Sequence, residues 1–378
     1  LFFLLLVSAC SRATNNGDDD LSPADDDASP ASDDDDNDND DDDNSPYFAE
    51  QDIYVSHTEG YNVFRIPSLI QSTNGAMLAF CEGRDSIEDD GRIDIVLKRS
   101  FDKGKTWTPL TVVATNGDGT AGNPAPVVDR STGAILLPYC TNPAYDENSR
   151  RIWVTKSVDD GETWSSPVEI TAQASEPDWG WNATGPGRSI QLASGRFVVP
   201  CNHRDKSGTV SNSNVFYSDD GATWHLGGIL GPNTDESQVA QLADGSLIIN
   251  MRDLSSDHLR WIARSYDEGL TWTPTVHDDA LPDPSCQGSL LETTDGLMFS
   301  NPVGDVSILR HDLTARLSED GGRTWAFSKT IHAGPSAYSA LSDLPDGGFG
   351  CLYEQGRIPF LPYDRITLAT FSIGWLKE

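Results

Sequence analysis

Ser100-Phe-Asp-Lys-Gly-Lys-Thr-Trp107 returns down the chain as Ser157-Val-Asp-Asp-Gly-Glu-Thr-Trp164, Tyr217-Ser-Asp-Asp-Gly-Ala-Thr-Trp224, Ser265-Tyr-Asp-Glu-Gly-Leu-Thr-Trp272 and Ser318-Glu-Asp-Gly-Gly-Arg-Thr-Trp325. Taking Asp102, Asp159, Asp219, Asp267 and Asp320 as the leading acids, the spacings are 57, 60, 48 and 53 residues. Each copy reads as a tight turn: the Asp side chain bonds backbone amides, Gly permits a positive φ, and Trp anchors the turn to the core. Between copies lie short apolar or alternating runs such as Asp94-Ile-Val-Leu97, Gly133-Ala-Ile-Leu-Leu-Pro138 and Arg196-Phe-Val-Val-Pro200, which read as strands. A period near 50 residues with about four strands per unit means propeller blades. The fold expected over residues 47–378 is therefore an all-β, six-bladed β-propeller, one blade of which lacks the motif.

Composition agrees with that class. The 378 residues include 33 Gly, 22 Pro, 10 Trp and 10 Tyr, as a turn-rich all-β chain requires. The formal charge of −33 is inflated by 15 Asp residues between Asp18 and Asp43; without residues 1–45 it is −19. An acidic surface with no basic patch repels phosphate backbones, which excludes nucleic acid as a partner. Residues 11–46 are mostly Asp, Asn, Ser, Pro and Ala, with too little apolar surface to bury, and are expected to form a disordered acidic linker.

Ahead of that linker, the apolar run Leu1–Leu6 leads through Val7-Ser8-Ala9 to Cys10. This resembles a bacterial lipoprotein signal truncated at its start, with residues 1–10 ending at the lipidated cysteine. The expectation is an exported protein, lipid-anchored to the outer membrane or cell surface. Cys81, Cys140, Cys201, Cys286 and Cys351 are odd in number, fit no zinc spacing, and mostly sit in apolar runs; they read as small core residues.

Outside the repeats, Tyr61-Asn-Val-Phe-Arg-Ile-Pro67 resembles the F-R-I-P signature of sialidases, and the repeats resemble that family's Asp boxes. The resemblance extends through residues 50–378. It implies three arginines that clamp the carboxylate of sialic acid. These are Arg65, Arg252 in Ser246-Leu-Ile-Ile-Asn-Met-Arg252, and Arg310 in Leu309-Arg-His-Asp-Leu-Thr314, with Arg316 the competitor for the third place. The chemistry supports the assignment independently. Sialic acid carries its carboxylate on the anomeric carbon, and planar guanidinium groups hold such an anion through paired, charge-assisted hydrogen bonds.

The same carboxylate disfavours an Asp or Glu nucleophile, and this family is the exception that uses Tyr. The matching residue is Tyr338, in Ser336-Ala-Tyr-Ser-Ala-Leu341. A tyrosine hydroxyl, with a pKa near ~10, needs a base, and the resemblance supplies Glu236. It places the acid/base carboxylate in the crowded loop after Glu82, at Asp89, with Asp90 the alternative. Glu82 and Arg84 match positions that contact sugar hydroxyls, and Glu354 matches the glutamate that orients Arg65. Trp179 and Trp181 are candidates for a pocket wall; His57, His203 and His258 are given no catalytic part.

The implied function is that of a retaining exo-α-sialidase acting on sialylated glycans, with no metal or cofactor. Two readings stay open: a trans-sialidase or anhydro-sugar-forming enzyme, and a propeller that binds sialoglycans without turnover. The anchor is testable by itself. Cys10→Ser in the full chain is expected to move the protein from the membrane fraction to the soluble one, and retention at the membrane would remove the lipoprotein reading.

Overall fold

The computed structural model describes residues 45–378 apart from 209, 305–308 and 358–360, so Cys10 and nearly all of the acidic linker lie outside the described residues. Strand pairing within them divides into six antiparallel blades. The first comprises Val63–Gln71, Met77–Arg84, Ile93–Ser100 and Thr111–Ala114. The second and third follow the same order, with the innermost strand split in two: Thr120–Gly122 and Val127–Val128, then Trp179–Thr184 and Ile190–Gln191. The fourth comprises Thr234–Gln241, Leu247–Asp253, Leu259–Ser265 and Val276–Pro282.

The last two blades share one strand. The 17-residue strand Phe327–Asp343 pairs over its first half with His311–Ser318, at the outer edge of the fifth blade. Its second half pairs with Phe349–Gln355, as the innermost strand of the sixth. Arg365–Phe371 continues the sixth blade, and Phe48–Val55 from the other end of the domain completes it in antiparallel register. That closure explains the blade without a motif. The other blades carry the box between third and fourth strands; here those two strands come from opposite ends of the domain and no turn joins them.

Burial follows position in the blade. Val63–Gln71 and Met77–Arg84 are buried almost throughout, whereas the outer strand Val276–Pro282 is fully buried only at Leu281. The apolar core lies between blades. Ile70, Leu78, Phe80 and Ile95 of the first blade pack against Ile135, Leu137 and Tyr139 of the second. The five cysteines from Cys81 to Cys351 are all buried and unpaired, as small core residues.

Four boxes share one geometry, shown by the second. Ser157 Oγ donates to Asp159 Oδ1 at 2.8 Å, and the Gly161 amide donates to Ser157 Oγ at 2.9 Å. Thr163 donates to Asp159 through both its amide, at 2.9 Å, and its hydroxyl, at 2.6 Å. Gly161 takes φ +79°, and the Trp164 ring meets Phe80 of the neighbouring blade edge-on at 6.0 Å. The third box corrects the sequence alignment. It is one residue shorter, so Ser218 bonds Asp220, and Asp220 receives the amide and hydroxyl of Thr223. Asp219, expected to lead that box, instead pairs with Arg196 through two hydrogen bonds at 2.7 and 3.2 Å.

These turns generate a prediction. Asp220→Ala removes the acceptor that organises its turn and is expected to lower Tm by several degrees. Asp219→Ala removes only an exposed ion pair, of little worth, and should change Tm far less. Equal or reversed effects in thermal melts would restore the longer box. The Thr163 hydroxyl and amide hold Asp159 down to about 2. For a carboxyl whose folded pKa is lowered, the stabilisation is complete above its free value near ~4 and is lost as pH falls toward the lowered one. The difference between wild type and Asp159→Ala should therefore shrink from pH 4 to pH 2.

Candidate active site

Strand direction gathers the expected residues at one end of the propeller axis. Arg65, Glu236 and Tyr338 lie near the starts of innermost strands, Glu82, Arg84, Arg252 and Glu354 near the ends of second strands, and Arg310 just before a third. The boxes, at the ends of third strands, fall on the opposite rim. Three of the innermost strands lose regular register at the site residue itself: between Arg65 and Ser68, Thr234 and Ser237, and Ser336 and Ser339. A bulge leaves a residue unpaired and re-aims its side chain. In the first, Ile66 takes φ +58°.

Glu354 ties two of these strands together. Fully buried, it accepts from Arg65 Nε at 3.3 Å, from the Ile66 amide at 2.8 Å and, on its other oxygen, from the Tyr338 amide at 3.1 Å. Tyr338 is 5% exposed, and its hydroxyl donates to Glu236, whose oxygens lie 2.6 and 2.8 Å away. Arg252 Nη1 donates to Glu236 at 2.8 Å and to the Tyr338 oxygen at 3.2 Å. Burial first, and then the Glu236 carboxylate, push the phenol well above its usual pKa, against the pull of Arg252, Arg310 and Arg65. The hydroxyl is thus a neutral donor with its acceptor already in place.

All three expected arginines surround the phenol. The guanidinium carbons of Arg65 and Arg310 lie 5.2 and 5.5 Å from the Tyr338 ring centre, and Arg252 touches the hydroxyl. Arg310 Nη2 donates to the Ser285 carbonyl at 2.8 Å. Arg316 does not compete: it is bound to Asn301 at 2.8 Å, and burial lowers it to about 10.

The acidic loop separates its two candidates. Asp90 Oδ1 accepts the Gly91 amide at 2.6 Å and the Tyr145 amide at 2.8 Å, which makes it a loop staple. Asp89 Oδ1 accepts from Arg84 Nη1 at 2.7 Å and Arg65 Nη1 at 3.2 Å, with its side chain 65% exposed toward the mouth. Desolvation alone would raise Asp89, but Arg84 and Arg65 together outweigh it and hold the carboxyl well below its usual range. Arg84 also donates to the Glu88 carbonyl at 3.0 Å, fixing the loop.

Glu82 departs from expectation. It is 1% exposed, and its oxygens are taken by Arg84 Nε at 2.7 Å and the Asn123 amide at 2.6 Å. It holds Arg84 rather than presenting an acceptor to a sugar. Trp181 lies between two cations, 3.6 Å from Arg150 and 4.4 Å from Arg204, and Trp179 stacks on His203.

Sequence reasoning missed Tyr363, whose ring lies 4.2 Å from the Arg65 guanidinium, and Ser285, which contacts both Arg252 and Arg310. It also passed over Asp235, 3.9 Å from Arg252, whose carboxyl is raised by burial despite that cation. Only Asp235 carried a signal, as an acid adjacent to Glu236.

Residues 75–351 match the family model of the BNR repeat-like domain. A sialidase of Micromonospora viridifaciens is 34% identical over 88% of this chain and 55% of its own length. An exo-alpha-sialidase of Aspergillus fumigatus is 32% identical over 84% of this chain and 86% of its own. Among solved structures, the Hadza microbial sialidase Hz136 superposes with a TM-score of 0.79 at 29% identity, over 86% of this chain and 69% of that one. The chain spans little more than half the length of the Micromonospora relative. With a phenol on a buried glutamate inside three guanidinium groups, and relatives of this kind along most of its length, the chain belongs to the sialidase family.

Proposed function

We propose that this propeller is a retaining exo-α-sialidase that releases terminal sialic acid from glycans. The observation that carries the reading is the Tyr338–Glu236 hydrogen bond at 2.6 Å, set among Arg65, Arg252 and Arg310. A binding protein needs the arginines alone; a base held on a buried phenol serves attack on carbon.

The arginines take the substrate carboxylate and place C2 over the phenol. Tyr338 oxygen then attacks C2 as Glu236 accepts the phenol proton. The bond from C2 to the leaving oxygen breaks, and that oxygen takes a proton from Asp89. In the second half, Asp89 removes a proton from water, whose oxygen bonds to C2. The C2–tyrosyl bond breaks, and Tyr338 recovers its proton from Glu236. Two inversions at C2 give net retention.

Asp89 must be protonated to act as an acid, yet in the free protein two guanidinium groups keep it ionised. Its Oδ1 sits on Arg65, where the incoming carboxylate is to bind. Substrate therefore takes Arg65 away from Asp89 and weakens the cationic pull. The bound sugar also covers the exposed carboxyl, and that loss of water favours the neutral acid. Binding prepares the acid at the moment it is needed.

Several measurements test this reading. Tyr338→Phe keeps the ring and is expected to lower kcat on an aryl α-sialoside by more than about 10³-fold, with little change in melting. A fluorinated sialic acid should label the peptide containing Tyr338. Asp89→Ala should impair sialyllactose more than the aryl substrate, whose leaving group needs little protonation. Near pH 5, binding of a carboxylate-bearing inhibitor should take up a proton in wild type and none in Asp89→Asn, read by calorimetry in buffers of different ionisation enthalpy. Wild-type turnover by Tyr338→Phe, or labelling elsewhere, removes the mechanism.

A further inference from the structure

The innermost strands that carry the active site at one end converge at the other on a cavity of about 540 Å³, to which all six blades contribute. It is distinct from the active site. Along Thr234–Gln241 alone, the cavity residue Ala240 lies four positions beyond Glu236, about 13 Å of extended chain. Part of its wall is apolar, from Val127, Val239 and Leu290.

Its polar groups are unbalanced. The Arg188 guanidinium makes no hydrogen bond or ion pair among the described residues, and burial lowers its pKa while Asp343 supports its charge without closing a contact. Arg130 is held through Nη2 to the Leu192 carbonyl at 2.9 Å and repels Arg188. Across the same cavity, Glu292 Oε2 is buried without a partner, and burial together with Asp244 raises that carboxyl to about 6. A guanidinium that lacks an acceptor and a carboxylate that lacks a donor thus line one space and do not satisfy each other.

We propose that this axial cavity binds a small hydroxylated carboxylate, its acid group on Arg188 and its hydroxyls on Glu292 and Asp343. The guanidinium fork matches a planar carboxylate, and ionised side-chain carboxylates only accept, so they require hydroxyl or amine donors. A bare inorganic anion satisfies Arg188 but meets the charge of Asp343 and leaves Glu292 unbonded. A neutral sugar satisfies the carboxylates and leaves Arg188 uncompensated. Only a ligand with both kinds of group completes the site, and the volume suits a small molecule. This inference stands on the cavity and does not depend on the active-site chemistry.

The test is titration calorimetry on the full chain with gluconate as the hydroxylated carboxylate, sulfate as the bare anion and galactose as the neutral sugar. The background is Arg310→Ala, which weakens the carboxylate clamp of the other site without removing a donor from the buried Glu354. Gluconate is expected to bind there at least tenfold more tightly than sulfate or galactose. Adding Arg188→Ala should weaken it at least tenfold and Glu292→Gln at least threefold. Because Arg188 has no partner to lose, Arg188→Ala should melt no earlier than its parent and, in the wild-type background, should retain active-site turnover. Absence of gluconate binding, binding indifferent to Arg188→Ala, sulfate binding as tight as gluconate, or unfolding of Arg188→Ala would each overturn the proposal.

Discussion

Glu354 is the constraint on which the site depends. Without exposed surface, its carboxylate spends one oxygen on Arg65 and the Ile66 amide and the other on the Tyr338 amide. A buried carboxylate is tolerable only when paired and hydrogen-bonded, and two of these three donors are amides that lie within the bulges of the neighbouring strands. The bulges therefore follow from more than local sequence: they deliver the amides that a buried acid requires. One group thereby sets Arg65 relative to the backbone of Tyr338. Since Glu354 and Tyr338 lie in the sixth blade and Arg65 in the first, it also spans the blade that the two ends of the domain close together.

The fold was legible because its signal is local and repeated. An eight-residue turn with its Ser, Asp, Gly, Thr and Trp in fixed places announces itself wherever it occurs, and strand order follows from the rules of hairpin connection. The single misreading, Asp219 for Asp220, came from the same strength: a fixed template was laid over a turn one residue shorter. Hydrogen bonding from Ser218, not spacing from the Trp, decides which acid leads. The missing sixth box was legible as an absence but not as a cause, because closure by Phe48–Val55 is a pairing across the whole domain.

The site was legible only in part. Arg65 sits in a distinctive run, whereas Ser285 and Tyr363 reach the arginines from loops of other blades and have no sequence neighbours to mark them. Asp89 and Asp90 are chemically identical in sequence. What separates them is the Tyr145 amide, 55 residues away, which ties Asp90 into the loop. Glu82 fails the other way: its position matches a sugar contact, but the Asn123 amide of the next blade and Arg84 have already taken its oxygens. Local pattern finds residues that must be of one type; tertiary pairing decides which of them still has a free atom.

The strands themselves explain why a scaffold of this kind tolerates so charged a centre. In five of the six blades a box fixes the far rim, its leading acid bonded to an amide and a hydroxyl within the turn. At the near rim three innermost strands lose regular register, and there the chain concentrates guanidinium groups that repel one another. They are held by internal acids: Glu354 on Arg65, Glu236 on Arg252, Glu82 on Arg84, and Asp89 across both Arg65 and Arg84. Of these counter-charges only Asp89 is substantially exposed and carried by a loop. It alone is not fixed by burial among the strands. A cluster of guanidinium groups must be stable without a ligand, and this one achieves it by lending Asp89 to both Arg65 and Arg84.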